Sequence, residues 1–437
     1  MASMRAILKV AMCTALLLYC VPTLANADER TPLSPAERLL LTQGHTAPED
    51  DPAPDRDATE KGRKDAVEAA RDSGGGSGSD SGFRFNPRGR INLDFGHITA
   101  PSSTAADSGF GGELRRIRLG ASGNTPGGLN YLFEVDFAGN DVVLFDGFLT
   151  FENRGLTITA GQHNNFQGLD ETSSGLHNSF LERSAWTDAF GFQRRLGVSA
   201  QYATGDWLLQ AGVFGDNIED LPSDSRSVDA RIIYAPVSAG TQMHFGASAH
   251  YNDLGDQAQL RYRQRPLVRW TDNRFVDTGT FSATSEVGLG LEAAAIKGPF
   301  HVALEGYSQT VNRPGELINP TFLGASAEVG FVLTSGDQKE YSSARLGGVD
   351  PASPIDQGGT GAFQLNLRYD YLDLNASDIT GGTQNAFQAS FVWTLTKRAR
   401  LMINYALQLY SDAAFTTAGG SDSFTAHIMG GRAQVFF

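Results

Sequence analysis

From Phe83 to the C-terminus the chain alternates between apolar and polar side chains. Phe83, Phe85, Ile91, Leu93 and Phe95 share one parity; Arg84, Asn86, Arg88, Arg90, Asn92 and Asp94 share the other. A period of two marks a strand with one apolar and one polar face. The pattern returns in Tyr131, Phe133, Val135 and Phe137 against Asn130, Glu134 and Asp136. It returns again in Met243, Phe245, Ala247 and Ala249 against Gln242, His244, Ser248 and His250. Phe363, Leu365, Leu367 and Tyr369 likewise oppose Gln364, Asn366, Arg368 and Asp370. We count sixteen such segments in 83–437. A soluble sandwich also alternates, but its apolar faces pack on each other in a much smaller unit. Sixteen strands of ~10 residues instead predict an all-β fold, a 16-stranded antiparallel transmembrane β-barrel of outer-membrane type. Lipid then faces the apolar parity, a polar lumen faces the other, and closure satisfies every backbone group. The final Val435-Phe436-Phe437 ends on an aromatic, an ending suited to the outer-membrane barrel assembly machinery.

The N-terminus reads as an export signal. Arg5 and Lys9 precede an apolar stretch from Val10 to Val21, and Ala25-Asn26-Ala27 offers small residues for cleavage. The predicted signal peptide is 1–27. Beyond it no apolar run reaches the ~18 residues of a spanning helix, which excludes a helical membrane protein. Cys13 and Cys20 both lie in the signal, so the mature chain has no disulfide and no thiolate chemistry. Residues 28–82 are acidic, contain several prolines and end in Gly74-Gly75-Gly76-Ser77-Gly78-Ser79. They predict a flexible, mostly disordered extension, with a short helical oligomerisation arm as the alternative. The transmembrane barrel is expected over 83–437.

Connector lengths orient the barrel. Asn153-Arg154-Gly155, Thr204-Gly205-Asp206 and Lys297-Gly298-Pro299 read as tight periplasmic turns. Longer connectors, at about 97–112, 163–192, 252–282 and 312–320, alternate with them and face outside. Segment 335–359 breaks this scheme, because it falls where a short turn belongs. Either it folds into the lumen or it hides two more strands.

The chain carries 35 basic and 49 acidic residues, a formal charge of -14, which argues against a nucleic-acid binder. Charge on the inner parity is more informative. Arg84, Arg88, Arg90, Arg116 and Arg118 are placed to line an anion path, since a planar guanidinium donates two parallel hydrogen bonds to phosphate. The alternative is electrostatic scaffolding, in which they pair with Asp94, Glu134, Asp136 and Asp146. Arg115 has the opposite parity and turns inward only if a bulge shifts it. In the outer stretch Arg261, Arg263 and Arg265 alternate ~7 Å apart, with Arg269 beyond. This row suits an anion ladder, or else a surface for lipopolysaccharide. Loop 163–192 is long for a passive connector. Its Asn164, Asn165, Asp170, Glu171, Ser173 and Ser174 fit a pore constriction, or else an ordinary outer loop. Enzyme signals are weak. His244 and His250 share a face, but ~20 Å separates them, too far for one metal. No cofactor is expected.

Several stretches together resemble the phosphate-selective porin O and P family. They are Arg115-Arg116-Ile117-Arg118-Leu119-Gly120, Glu134-Val135-Asp136-Phe137-Ala138-Gly139, Gly161-Gln162, Phe180-Leu181-Glu182-Arg183 and Arg194-Arg195-Leu196-Gly197-Val198. Arg263-Gln264-Arg265-Pro266 and Arg274-Phe275-Val276-Asp277-Thr278-Gly279 continue the same order. The resemblance covers roughly 83–437. It implies a sixteen-stranded porin, often trimeric, with a third outer loop folded inward as the constriction. It also implies an arginine ladder at 261–265. After Gly-Gln the family usually reads Phe-Lys-Glu-Pro-Phe; here His163-Asn164-Asn165-Phe166 follows Gln162, with Asn164 in the Lys place. That departure bears on phosphate selectivity rather than on the porin reading.

The expectation is an outer-membrane porin that passes small hydrophilic solutes by facilitated diffusion and prefers anions such as phosphate. Its partners are outer-membrane lipid and lipopolysaccharide, with two further copies of itself in a homotrimer. The competing readings are a non-selective, cation or carbon-substrate porin, and a plugged barrel used as a surface anchor or adhesin. The first is favoured by 36 acids against 26 bases in 83–437.

Overall fold

The computed structural model describes residues 82–104, 106–139 and 141–437. The expected signal peptide, 1–27, and all but the last residue of the expected 28–82 extension lie outside the described residues.

Sixteen strands form the wall. They are β1 Asn86–Thr99, β2 Gly109–Asn124, β3 Leu129–Asp136, β4 Val143–Asn153, β5 Leu156–Asn164, β6 Arg194–Thr204, β7 Trp207–Phe214 and β8 Arg226–Tyr234. The second half comprises β9 Thr241–Leu260, β10 Phe281–Lys297, β11 Phe300–Asn312, β12 Thr321–Val332, β13 Ala362–Ala376, β14 Ile379–Thr396, β15 Ala399–Ser411 and β16 Phe424–Phe436. Each pairs antiparallel with its sequence neighbour. The sheet closes where β1 meets β16, from Arg90 opposite Phe436 to Thr99 opposite His427. Closure leaves no edge, which a lipid-embedded sheet requires.

Parity sorts the side chains as the alternation predicts. Phe133, Phe245, Leu367, Phe387, Ile403 and Val435 are exposed on the outside, while Arg90, Arg116, Asn366 and Gln408 are buried within. Two bulges override the local pattern. Asn92 pairs with Arg116 and Leu93 with Leu114, so Arg115 is the extra residue and both arginines turn inward. Glu134 pairs with Asp146 and Val135 with Leu144, so Phe145 turns inward with Asp146.

Three connectors occupy the lumen. The first, 165–193, is loop L3. It carries the helical turns Leu169–Thr172 and Ala185–Ala189, and its residues Phe166, Leu169, Phe180, Leu181 and Trp186 are buried. The second, 261–280, is loop L5, a strand pair of Arg263–Gln264 with Val276–Asp277. An aromatic cluster seals both to the wall: Trp186 stacks on Tyr307 at 5.2 Å, Phe190 meets Tyr262, and Phe275 meets Tyr410 and Phe424.

The third, 333–361, resolves the segment that broke the alternation of short and long connectors. It forms a hairpin, Lys339–Ser342 with Arg345–Val349, outside the barrel sheet and folded into the lumen. Tyr341 OH lies 2.6 Å from Nδ1 of inward-facing His244. Lys339 Nζ donates to Ser179 of L3 at 3.2 Å, and Leu346 N donates to Ser173 at 3.3 Å. The segment is therefore both inward-folded and stranded, and the barrel count stays at sixteen.

Candidate functional site: an arginine-lined cavity at the constriction

L3 is held against one wall by carboxylates. Leu169 N and Asp170 N donate to the two oxygens of Glu305 on β11, at 2.6 and 2.8 Å. Ser179 donates to Glu328 on β12 at 2.5 Å, and His301 approaches that same oxygen at 3.0 Å. The other acids of this wall are also engaged. Glu292 pairs with Arg231 at 2.6 Å and with His244 at 2.9 Å. Asp229 pairs with His250, and Glu286 accepts from Tyr262, Asn252 and Gln309. Glu305, Glu328 and Glu286 thus dock L3 and L5, while Glu292 and Asp229 are held by partners on the wall itself.

The facing wall is basic. Between L3, L5 and β2 lies a small cavity. Arg115, Arg116, Arg183, Arg265 and Arg269 line it, with Glu171, Glu182 and Asp188 as the acids. Arg115 clamps Glu182 with two bonds, and Arg432 reaches the same carboxylate at 3.1 Å. Burial alone raises the Glu182 carboxyl, but Arg115, Arg432 and Arg116 outweigh it and hold it down to about 2. Burial, together with repulsion from Arg115 and Arg265, lowers Arg269 to about 10, so it stays cationic at neutral pH. Arg183 donates to the carbonyls of Asp170, Glu171 and Ser173 and so fixes the turn of L3 that presents Glu171.

The fold distributes the residues singled out in the sequence among several places. Of the five lumen arginines, Arg116 reaches the cavity. Arg90 is buried on the same wall, and Arg88 lies 4.0 Å from Glu134. Arg118 pairs with Asp136 at 2.7 Å, and it and Arg194 stack on Phe145 at 3.3 and 3.6 Å. Arg84 precedes β1 and is half-buried at the barrel's periplasmic end, its carbonyl accepting from Tyr131. Of the acids weighed as partners, Asp94 pairs with Arg432 and Asp146 with Arg194.

The outer row also divides. Arg261 is exposed and grips Asp277 at 2.6 Å, and Arg263 stands opposite Asp277 in the L5 strand pair. Arg265 and Arg269 line the cavity. In L3, Glu171 faces the cavity, and Asn164 donates weakly to Glu171. Asp170 accepts from Ser184, while Asn165 is buried beside Gln167 and Gln309 in a smaller recess. Asp170, Ser173 and Ser174 border a separate recess beneath L3. Arg183 and Glu182 were not singled out, although they stand in a motif that carried the resemblance. Arg400 and Arg432 were also missed; their inward parity on β15 and β16 was a readable signal.

The sequence profile described as phosphate-selective porin O and P matches residues 85–437. The chain belongs to that family. This porin is also 40% identical over 367 residues to a protein of Caulobacter vibrioides described only as uncharacterized, covering 81% of this chain and 74% of that one. Among solved structures it resembles the anion-selective porin from Comamonas acidovorans, with a TM-score of 0.52 and 14% identity over 80% of this chain and 99% of that one. It also resembles the trimer form of OmpT from Vibrio cholerae, with a TM-score of 0.51 and 11% identity over 82% and 100% of the two chains. At these identities the solved structures speak for the fold. Family and barrel together make the protein an outer-membrane porin, a channel rather than an enzyme.

Proposed function

We propose that this porin passes small hydrophilic anions by facilitated diffusion, with the cavity between L3 and L5 as its selectivity site. The carrying observation is the imbalance there: five arginines against three carboxylates, while the acids of the opposite wall are bound by loop amides and by neighbouring cations. Low-dielectric walls focus a field of that sign on the ion path. Acids on outer loops and turns are screened beyond ~8 Å at physiological salt, so the chain's net acidity weighs less. Asn164 donates to Glu171 within L3, where the family's Lys would add a cation, so phosphate binding is reduced more than anion preference.

The wider reading is an exported chain whose signal is cleaved. The barrel assembly machinery inserts it among outer-membrane lipid and lipopolysaccharide, where it acts as a homotrimer. The trimeric form of the Vibrio relative supports this last point. A general porin is the competing reading, favoured by Glu171, Glu182 and Asp188 in the same cavity. Reversal potential across a KCl gradient decides between them. We expect a modest anion preference that falls when Arg265 and Arg269 are replaced by Gln; a cation-selective wild-type channel overturns the proposal.

A further inference from the structure

Three glycines stand in one row across the seam of the barrel. Gly96 of β1 pairs with Gly111 of β2 on one side and with Gly430 of β16 on the other. Glycine weakens a strand interior, and its presence there marks a close approach. The group that approaches is the indole of Trp270, from the tip of L5. A Cβ at Gly111 would lie 2.4 Å from Trp270 Cδ1, one at Gly96 2.8 Å from Cζ2, and one at Gly430 2.7 Å from Cη2. All three distances are too short for a side chain to share the space. Among the described residues the indole N–H has no hydrogen-bond partner, so shape holds the ring.

Arg265, Leu267, Val268 and Arg269 precede Trp270 and line the cavity. Arg115 and Arg265 repel Arg269 there, while Asp188 and Glu182 attract it. Coulomb forces fall off slowly with distance and fix no single position. Arg265 N donates to Asp188 and Gln408 donates to the Pro266 carbonyl on one side of the tip; Asn273 donates to the Asp107 carbonyl on the other. The glycine slot takes the stretch between. We infer that Trp270 is a positioning residue for selectivity: seated in the slot, it fixes the tip of L5 and with it Arg265 and Arg269. The inference rests on the anion reading above. Trp270 acts through the arginines, not on the solute.

The test is reversal potential and single-channel conductance of the full-length channel in a planar bilayer under a KCl gradient. Gly111→Ala is the cleanest probe, because its added carbon meets the Trp270 ring within 4 Å and nothing else is as near. Gly111→Ala and Trp270→Ala should each lower the anion/cation permeability ratio about twofold, as the arginine field leaves the ion path. Both should raise conductance. The double variant should fall no further than either single one, since both break one contact. Trp270→Phe, which keeps a ring in the slot, should stay near wild type. Gly306→Ala, where a Cβ meets nothing within 4 Å, should change neither readout. Heat-modified mobility on gels reports assembly; a merely structural role would reduce assembled channels without moving the ratio. An unchanged ratio and conductance in Trp270→Ala, or a double variant whose loss is the sum of the two, overturns the inference and leaves the anion reading intact. A cation-selective wild-type channel overturns the anion reading instead, and the rise in conductance then still reports the tether.

Discussion

Arg115 donates from Nε and Nη2 to the two oxygens of Glu182, at 2.8 and 3.0 Å. The pair joins a bulge in β2 to the middle of L3, so one extra residue in a strand fixes the position of the constriction. Removing one partner of such a pair leaves the other charge uncompensated, at a cost of ~3–5 kcal/mol where burial is complete and less in a wet lumen. Glu182→Gln should give noisier single-channel current. It should also raise the anion/cation permeability ratio, because the cavity loses one of its three carboxylates. Reversal potential and open-channel noise check both.

The same pair sets an acid limit. Glu182 titrates at about 2, below its ordinary value of 4.5. A depressed carboxylate contributes stability that is complete above the unfolded value and is lost as pH falls through the folded one. The contribution should therefore be full above about pH 5 and fade between there and about pH 2. Conductance followed from pH 7 to 2.5 should hold steady through pH 5 and then become irregular; in Glu182→Gln that acid-dependent change should shrink.

The inward hairpin should restrict flow. Lys339, Tyr341 and Leu346 reach L3 and β9 from the periplasmic side. Replacing 337–352 with a short Gly-rich turn should raise single-channel conductance and leave the barrel assembled. Unchanged conductance would mean that the ion path bypasses the hairpin.

The four outer arginines should not act alike. Arg265 and Arg269 line the cavity, whereas Arg261 is exposed and neutralised by Asp277. The double variant Arg265→Gln, Arg269→Gln should lower the anion/cation permeability ratio more than Arg261→Gln, Arg263→Gln does. Reversal potentials in one salt gradient compare them directly.

The lipid face can be tested at one position. Phe133 is outward and exposed at mid-strand in β3. Phe133→Arg should cost ~2–4 kcal/mol if it sits near the bilayer midplane, while Asn130→Arg on the inner parity should cost much less. Denaturant unfolding from lipid vesicles measures both.

The alternation of side chains was enough to read the strands, their facing and the closed wall. Period two is a property of the extended backbone itself, so Arg90, Arg116 and Asn366 could be assigned to the lumen without knowing any partner. Tight turns such as Arg154-Gly155 were legible for the same local reason: both residues take positive φ. The site was only partly legible. Arg116, Arg265 and Glu171 were named from three separate stretches, and nothing local placed them around one cavity. Arg115 and Phe145 turn inward through bulges, and a bulge is set by the register with the neighbouring strand, not by the residue's own parity. The inward hairpin at 339–349 and the docking of Leu169 and Asp170 on Glu305, more than a hundred residues away, depend on closing long loops. The sequence by itself determined the wall, because strand geometry repeats every two residues. Only the tertiary structure decided the constriction, because its charges meet across the lumen, where sequence distance says nothing about space.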